Sequence, residues 1–145
     1  MNYNKYMEIA IKEAKKAQKK GDVPVGAIIV KENKIISKAY NKKEKNKNAV
    51  LHAEIIAISK ACKKLKTWRL DNCELYITLE PCMMCSGAIL QSRIKKVIYG
   101  SKNEKYGYSK QIDKLNQKNN FPEIVEGILE EKTTEMIKDF FIEKR

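Results

Sequence analysis

The sequence predicts an α/β fold: a mixed sheet sandwiched between helices, in a single domain spanning residues 1–145. Three observations predict it. Segments rich in β-branched and aromatic residues alternate with segments of helical period, in the order α-β-β-α-β-α-β followed by a β-α end. The chain is 145 residues long, the size of one domain around one core. Hydrophobic residues make up 43% of it, which permits a packed interior and argues against wholesale disorder.

The elements follow in chain order. Residues 3–19 place Tyr6, Met7, Ile9, Ala10, Ala14 and Ala17 at helical spacing, and Gly21 follows as a stop. "VPVGAIIVKENKIISKAYN" (23–41) reads as two strands joined by a polar turn at Lys31–Lys34. "KKEKNKN" (42–48) is a charged loop. "AEIIAISKACKKL" (53–65) carries apolar residues at 55, 56, 58, 61, 62 and 65, a helical pattern. "CELYITL" (73–79) is a strand. "MCSGAILQS" (84–92) opens another helix, and "KKVIYG" (95–100) is a strand closed by glycine. Residues 101–120 are polar and without clear period. "EIVEGI" (123–128) reads as a short strand. Residues 129–143 form a last helix carrying Leu129, Met136, Ile137, Phe140 and Phe141.

No apolar run approaches the roughly 20 residues that a membrane span needs, and the amphipathic N-terminus has no uninterrupted apolar signal core. The expectation is a soluble, cytoplasmic protein. The net charge is +12. A basic chain attracts polyanions, of which nucleic acid is the commonest. A lysine and asparagine surplus is also what AT-rich codons produce, spread evenly and without function, so charge alone names no partner.

One histidine occurs in the chain, in "HAEIIAI" (52–58), and a P-C-x-x-C occurs in "LEPCMMC" (79–85). One imidazole and two thiolates, His52, Cys82 and Cys85, make a zinc ligand set of borderline softness. Three protein ligands leave a tetrahedral site one position short. An open position distinguishes catalytic zinc from structural zinc, because water bound there loses a proton near neutral pH. Each motif opens a helix, whose positive end favours thiolate over thiol. Glu54, two residues after His52, suits general acid–base work beside the metal. Singly, each feature has a bland reading: a structural histidine, a redox pair, a solvated glutamate. Together, H-x-E and P-C-x-x-C form the signature of the zinc-dependent base deaminases. Cys62, on an apolar helix face, and Cys73, at a strand start, read as core thiols.

On these motifs the sequence resembles the cytidine/deoxycytidylate deaminase superfamily, and within it the bacterial tRNA-specific adenosine deaminases. The likeness covers "DVPVGAIIV" (22–30), "YN" (40–41), "HAEIIAI" (52–58), "LYITLEPCMMCSGAILQSRIKKVIYG" (75–100), "VEGILEEK" (125–132) and "DFFIEKR" (139–145). It implies a three-layer α/β/α sandwich around a five-stranded mixed sheet, one zinc ion per subunit, and a homodimer whose interface helps form the RNA site. The implied reaction is hydrolytic conversion of adenosine to inosine at wobble position 34, in the anticodon loop of an arginine tRNA with an ACG anticodon. His52, Cys82 and Cys85 match the zinc ligands and Glu54 the proton shuttle. Asn41 matches a contact to the flipped nucleoside, and Val25 a pocket wall. Asn41 at a strand end also suits a turn, while its amide offers a base edge both donor and acceptor. Of Phe140 and Phe141, one is expected in the core and one stacking on a splayed base; Phe141 is the substrate-side candidate.

The likeness breaks after "VIYG". Asn103 in "SKNEKYGYSKQ" (101–111) stands where the family carries aspartate, and Tyr106 and Tyr108 flank Gly107 where small residues are usual. Loss of a negative charge there would alter recognition of the sugar 2′-OH. The expectation is a substrate contact at Asn103 with a relaxed preference between RNA and DNA. Two other readings stay open: a free-base or nucleoside deaminase of guanine or cytosine type, and a non-catalytic RNA-binding domain whose structural zinc has a fourth protein ligand.

Overall fold

A computed structural model describes residues 2–109 and 122–143. Its elements in chain order are α1 (Tyr3–Lys19), β1 (Gly26–Lys31), β2 (Lys34–Tyr40), α2 (Ala53–Leu65), β3 (Cys73–Leu79), α3 (Met83–Ser92), β4 (Lys96–Ser101), β5 (Glu123–Val125) and α4 (Glu130–Glu143). The five strands form one mixed sheet in the order β2-β1-β3-β4-β5. Strand β1 runs antiparallel to β2 and β3, while β3, β4 and β5 are parallel.

Alternation along the strands builds two cores. Ala27, Ile29, Leu75, Ile77, Val97 and Tyr99 face one side, against Ala53, Ala57 and Ala61 of α2 and Ile89 of α3. Ile28, Val30, Tyr76 and Ile98 face the other, against Tyr6, Met7, Ala10 and Ile11 of α1 and Met136 of α4. The layers are therefore α/β/α, as the resemblance implies. Alanines on α2 bring that helix close to the sheet, and α1 comes close at Gly26. A Cβ at Gly26 would overlap the Ala10 carbonyl and the Ala14 amide. Helix backbone rests on strand backbone there, so no side chain fits at 26.

Several boundaries differ from the sequence reading. The first strand starts at Gly26, not at residue 23. Pro24 has no N–H to donate to a ladder, and the Val25 N–H is spent on the Val23 carbonyl at 2.8 Å. The polar turn narrows to Glu32 and Asn33, whose φ values of 50° and 62° suit a tight two-residue hairpin. The last strand ends at Val125, because Gly127 at φ +80° turns the chain away. The last helix begins at Glu130, after Leu129 at φ 55°. The second motif's helix begins one residue early, at Met83, and β4 runs one residue further, to Ser101. Lys110, Gln111, Lys144 and Arg145 lie outside the described residues.

The sheet has two edges. On β2, Lys34 and Lys38 are exposed, and the Lys60 ammonium of α2 reaches the Lys38 carbonyl at 2.9 Å. On the other side, β5 has three residues. No described helix is long and apolar enough to cross a membrane.

Candidate active site

His52 is the N-cap residue of α2, and Cys82 is the N-cap residue of α3. Both have extended backbone, φ −74° and −77°, so each side chain stands off a helix start rather than lying along the barrel. Cys85 follows one turn into α3 and is fully buried. The three ligand atoms lie within 4.8 Å of one another. His52 Nδ1 is 3.7 Å from Cys82 Sγ and 3.6 Å from Cys85 Sγ. Tetrahedral bonds of about 2.0–2.1 Å to nitrogen and about 2.3 Å to sulfur set those atoms about 3.6 Å apart. The donor set and its spacing therefore fit zinc. Among the described residues the group has three members. Cys62 and Cys73 are elsewhere, with thiols against the Trp68 and Asp71 carbonyls.

Electrostatics sharpen the contrast between the two cysteines. Cys82 accepts a hydrogen bond from the Cys85 thiol and faces His52, which together hold its pKa down to about 3 despite partial burial. Cys85 is pushed the other way by that same bond and by burial. The Cys82 thiolate raises the pKa of His52 in turn. Glu54, in the first turn of α2, is 4% exposed. Burial pushes its carboxyl up to about 7, although its own backbone amide and His52 pull the other way. A carboxyl balanced near neutrality can both take and give a proton at working pH.

His52, Glu54 and Cys82 line a cleft of about 490 Å³, with Cys85 buried behind them. Val23, Val25 and Leu79 form apolar walls, and Asn41, Lys43, Glu80 and Asn103 bring polar groups to it. Asn41 is 8% exposed, and its Oδ1 accepts the Lys43 N–H at 3.2 Å, so it is both turn residue and wall. Phe141 is 52% exposed on α4 and is not among the residues lining the cleft; Phe140, beside it, is the buried one.

Two acids that the sequence reading gave no role hold the cleft's loops. Asp22 is fully buried, and its two oxygens accept the N–H groups of Glu44 and Lys45 at 2.8 and 3.0 Å. Glu80 accepts the N–H groups of Asn103 and Ser109, each at 3.1 Å, together with the Ser109 hydroxyl. Asn103 Oδ1 then accepts the Tyr106 N–H at 3.0 Å. Both acids sit inside the matched stretches, but their partners lie more than twenty residues away. Positive charge also gathers here. Lys43 lines the cleft, and the ammonium groups of Lys20 and Lys42 each stand 5.0 Å from the Tyr40 ring.

A family model described as MafB19-like deaminase matches residues 1–145. The tRNA-specific adenosine deaminase of Bacillus subtilis (strain 168) is 47% identical over 143 residues, covering 97% of this chain and 89% of that one. A solved structure from work on A-to-I editing by tRNA:A34 deaminases at the wobble position superposes with a TM-score of 0.86 at 32% identity. It covers 91% of this chain and 98% of its own. A guanine deaminase structure from Bacillus subtilis gives a TM-score of 0.68, also at 32% identity, covering 84% of this chain and 83% of its own.

Proposed function

This chain belongs to the MafB19-like deaminase family, and we propose that it converts adenosine to inosine at wobble position 34 of a tRNA, an arginine tRNA with an ACG anticodon. The observation that carries this reading is the His52, Cys82 and Cys85 triad at zinc-ligand spacing with a buried carboxyl, Glu54, beside it. The relative sharing 47% identity over nearly the whole chain supports the choice of substrate.

His52, Cys82 and Cys85 would hold one zinc ion per subunit, which supplies a Lewis acid that makes water acidic enough to be a nucleophile near neutral pH. The chain's own groups do the rest. Glu54 takes the proton of the attacking water and delivers it to N1 of the adenine. It then carries the second proton to the departing amine, so that water is consumed and ammonia released. Val25 packs against the base, and Asn41 offers its free amide N–H to it while its oxygen holds the turn. The target must leave its stack to reach this depth, and a loop nucleotide does so at low cost. Lys43 and the lysines around Tyr40 suit the flanking phosphates, so binding should weaken with salt. Phe141 stays a candidate for an RNA contact outside the cleft, and a homodimer is the expected assembly.

Asn103 uses Oδ1 within its own turn, which an aspartate would do equally, and differs from it in carrying no charge. A relaxed preference follows: matched RNA and DNA hairpins are deaminated at comparable rates, and strict RNA dependence would sink that idea. The main test is inosine formation on an ACG stem-loop by wild type and by Glu54→Ala. Inosine from the first alone supports the reaction and the shuttle; none from folded, zinc-loaded wild type refutes both. A free-base deaminase is the second reading, favoured by the likeness to a guanine deaminase at 32% identity. That activity needs no polyanion surface, so absence of tRNA binding at low salt would select it.

A further inference from the structure

At the mouth of the cleft stands a side chain that none of this chemistry uses. Tyr106 lines the cleft and is 63% exposed. One exposed ring is ordinary by itself; this one stands on the lining of the cleft that holds the candidate site. It is also held still. Its N–H is bonded to Asn103 Oδ1, and the Gly107 N–H to the Asn103 carbonyl at 2.8 Å. Both ends of the turn, at Asn103 and Ser109, are tied to Glu80. The Tyr108 N–H is bonded to the Pro81 carbonyl at 2.9 Å. A side chain at Gly107 would collide with the Glu80 carboxylate and the Asn103 carbonyl, so the turn lies flat against the 80–81 segment. Residues 80–81 lead directly into Cys82. The Tyr106 backbone is therefore set by the same stretch of chain that carries a metal-ligand candidate.

We propose that Tyr106 is the floor of a second nucleobase subsite, on which the base next to the reacting nucleotide stacks. The subsite rests on reading the cleft as one that accepts a nucleotide within a strand. Aromatic rings bind any base through its π-face, without reading its edge. The chemistry around the ring fits a nucleotide. The Lys105 ammonium lies over the ring, 5.4 Å from its centroid, and puts positive charge beside it. Lys43 and Asn103 line the same cleft. Met83, 66% exposed, is the other large apolar side chain exposed along its lining. A turn whose backbone is held by five N–H hydrogen bonds loses little freedom when a base settles on its ring, which favours affinity.

The test uses an ACG stem-loop with 2-aminopurine at either nucleotide flanking the target adenosine, titrated with full-length zinc-loaded protein. With wild type and with Tyr106→Phe or Tyr106→Trp, one of the two probes is quenched on binding. With Tyr106→Ala the quench is lost and affinity falls about 5- to 150-fold, the range for one base–aromatic stack. Quenching that persists in Tyr106→Ala, or alanine affinity within twofold of wild type, overturns the subsite. So does a wild-type protein that quenches neither probe. Quenching without any inosine would instead refute the proposed reaction and leave the subsite standing.

Discussion

Glu80→Gln isolates one interaction and tests how the cleft is held together. The glutamate uses both oxygens: Oε1 accepts the Asn103 N–H, and Oε2 accepts the Ser109 N–H and hydroxyl. A glutamine has the same shape but one oxygen. Turned toward Ser109, where two donors wait, it presents its NH₂ to the Asn103 N–H, donor against donor. The cost of leaving that amide unpaired is about 1–3 kcal/mol. The remaining bonds also lose the ionised acceptor, which roughly halves their strength. At about 1.4 kcal/mol per factor of ten, opening of the 103–109 turn becomes about 5- to 150-fold more frequent. Amide hydrogen exchange reads this directly, since local opening sets exchange in the native state. Asn103 and Ser109 should lose protection by that factor, while core amides such as Ile77 and Ile98 keep theirs. Unchanged exchange at Asn103 and Ser109 would mean that Glu80 does not anchor the turn.

Two further outcomes follow from the geometry. In metal-free protein Cys82 should be the cysteine that iodoacetamide modifies first; its pKa, lowered to about 3, leaves the thiolate essentially complete from about pH 5 upward. Its alkylation rate, followed by peptide mass spectrometry, should stay flat from pH 5 to 8. An ordinary thiol with a pKa of about 8.5 would instead quicken about tenfold per unit. Added zinc should protect Cys82, and a tenfold-per-unit rise would refute the assignment. Gly26→Ala forces a Cβ into the α1 backbone, and urea unfolding should report a loss of about 3 kcal/mol or more; a loss under about 1 kcal/mol would show that α1 moves away freely.

The metal triad was legible because its evidence is local. H-x-E and P-C-x-x-C each fit within a turn of helix, and capping each helix start with a ligand side chain brings the motifs together without knowledge of the sheet. Helix α2 was legible because its apolar spacing is regular over thirteen residues. Asp22 and Glu80 were not, because their partners are backbone N–H groups, which carry no signature of their own. Phe140 and Phe141 sit at adjacent positions, and both suited the apolar face by spacing. The register Thr133, Met136 and Phe140, all buried, decides between them, and Thr133 is not an obvious core residue. At the first strand, Val23, Pro24 and Val25 read as apolar extended chain, and only the missing proline donor separates them from the ladder.

The lysine surplus has a use unrelated to nucleic acid. An open sheet offers its outermost strands to any other extended chain, and exposed edges are where folded proteins begin to aggregate. Here one edge, β5, is only three residues long, too short a template for stable pairing. The other, β2, carries exposed Lys34 and Lys38 and has Lys60 laid against its backbone. A second molecule approaching that edge would meet its own row of ammonium groups. These edge lysines, distinct from those beside the cleft, thus keep copies of the protein from joining sheet to sheet, and their removal would show first as lost solubility.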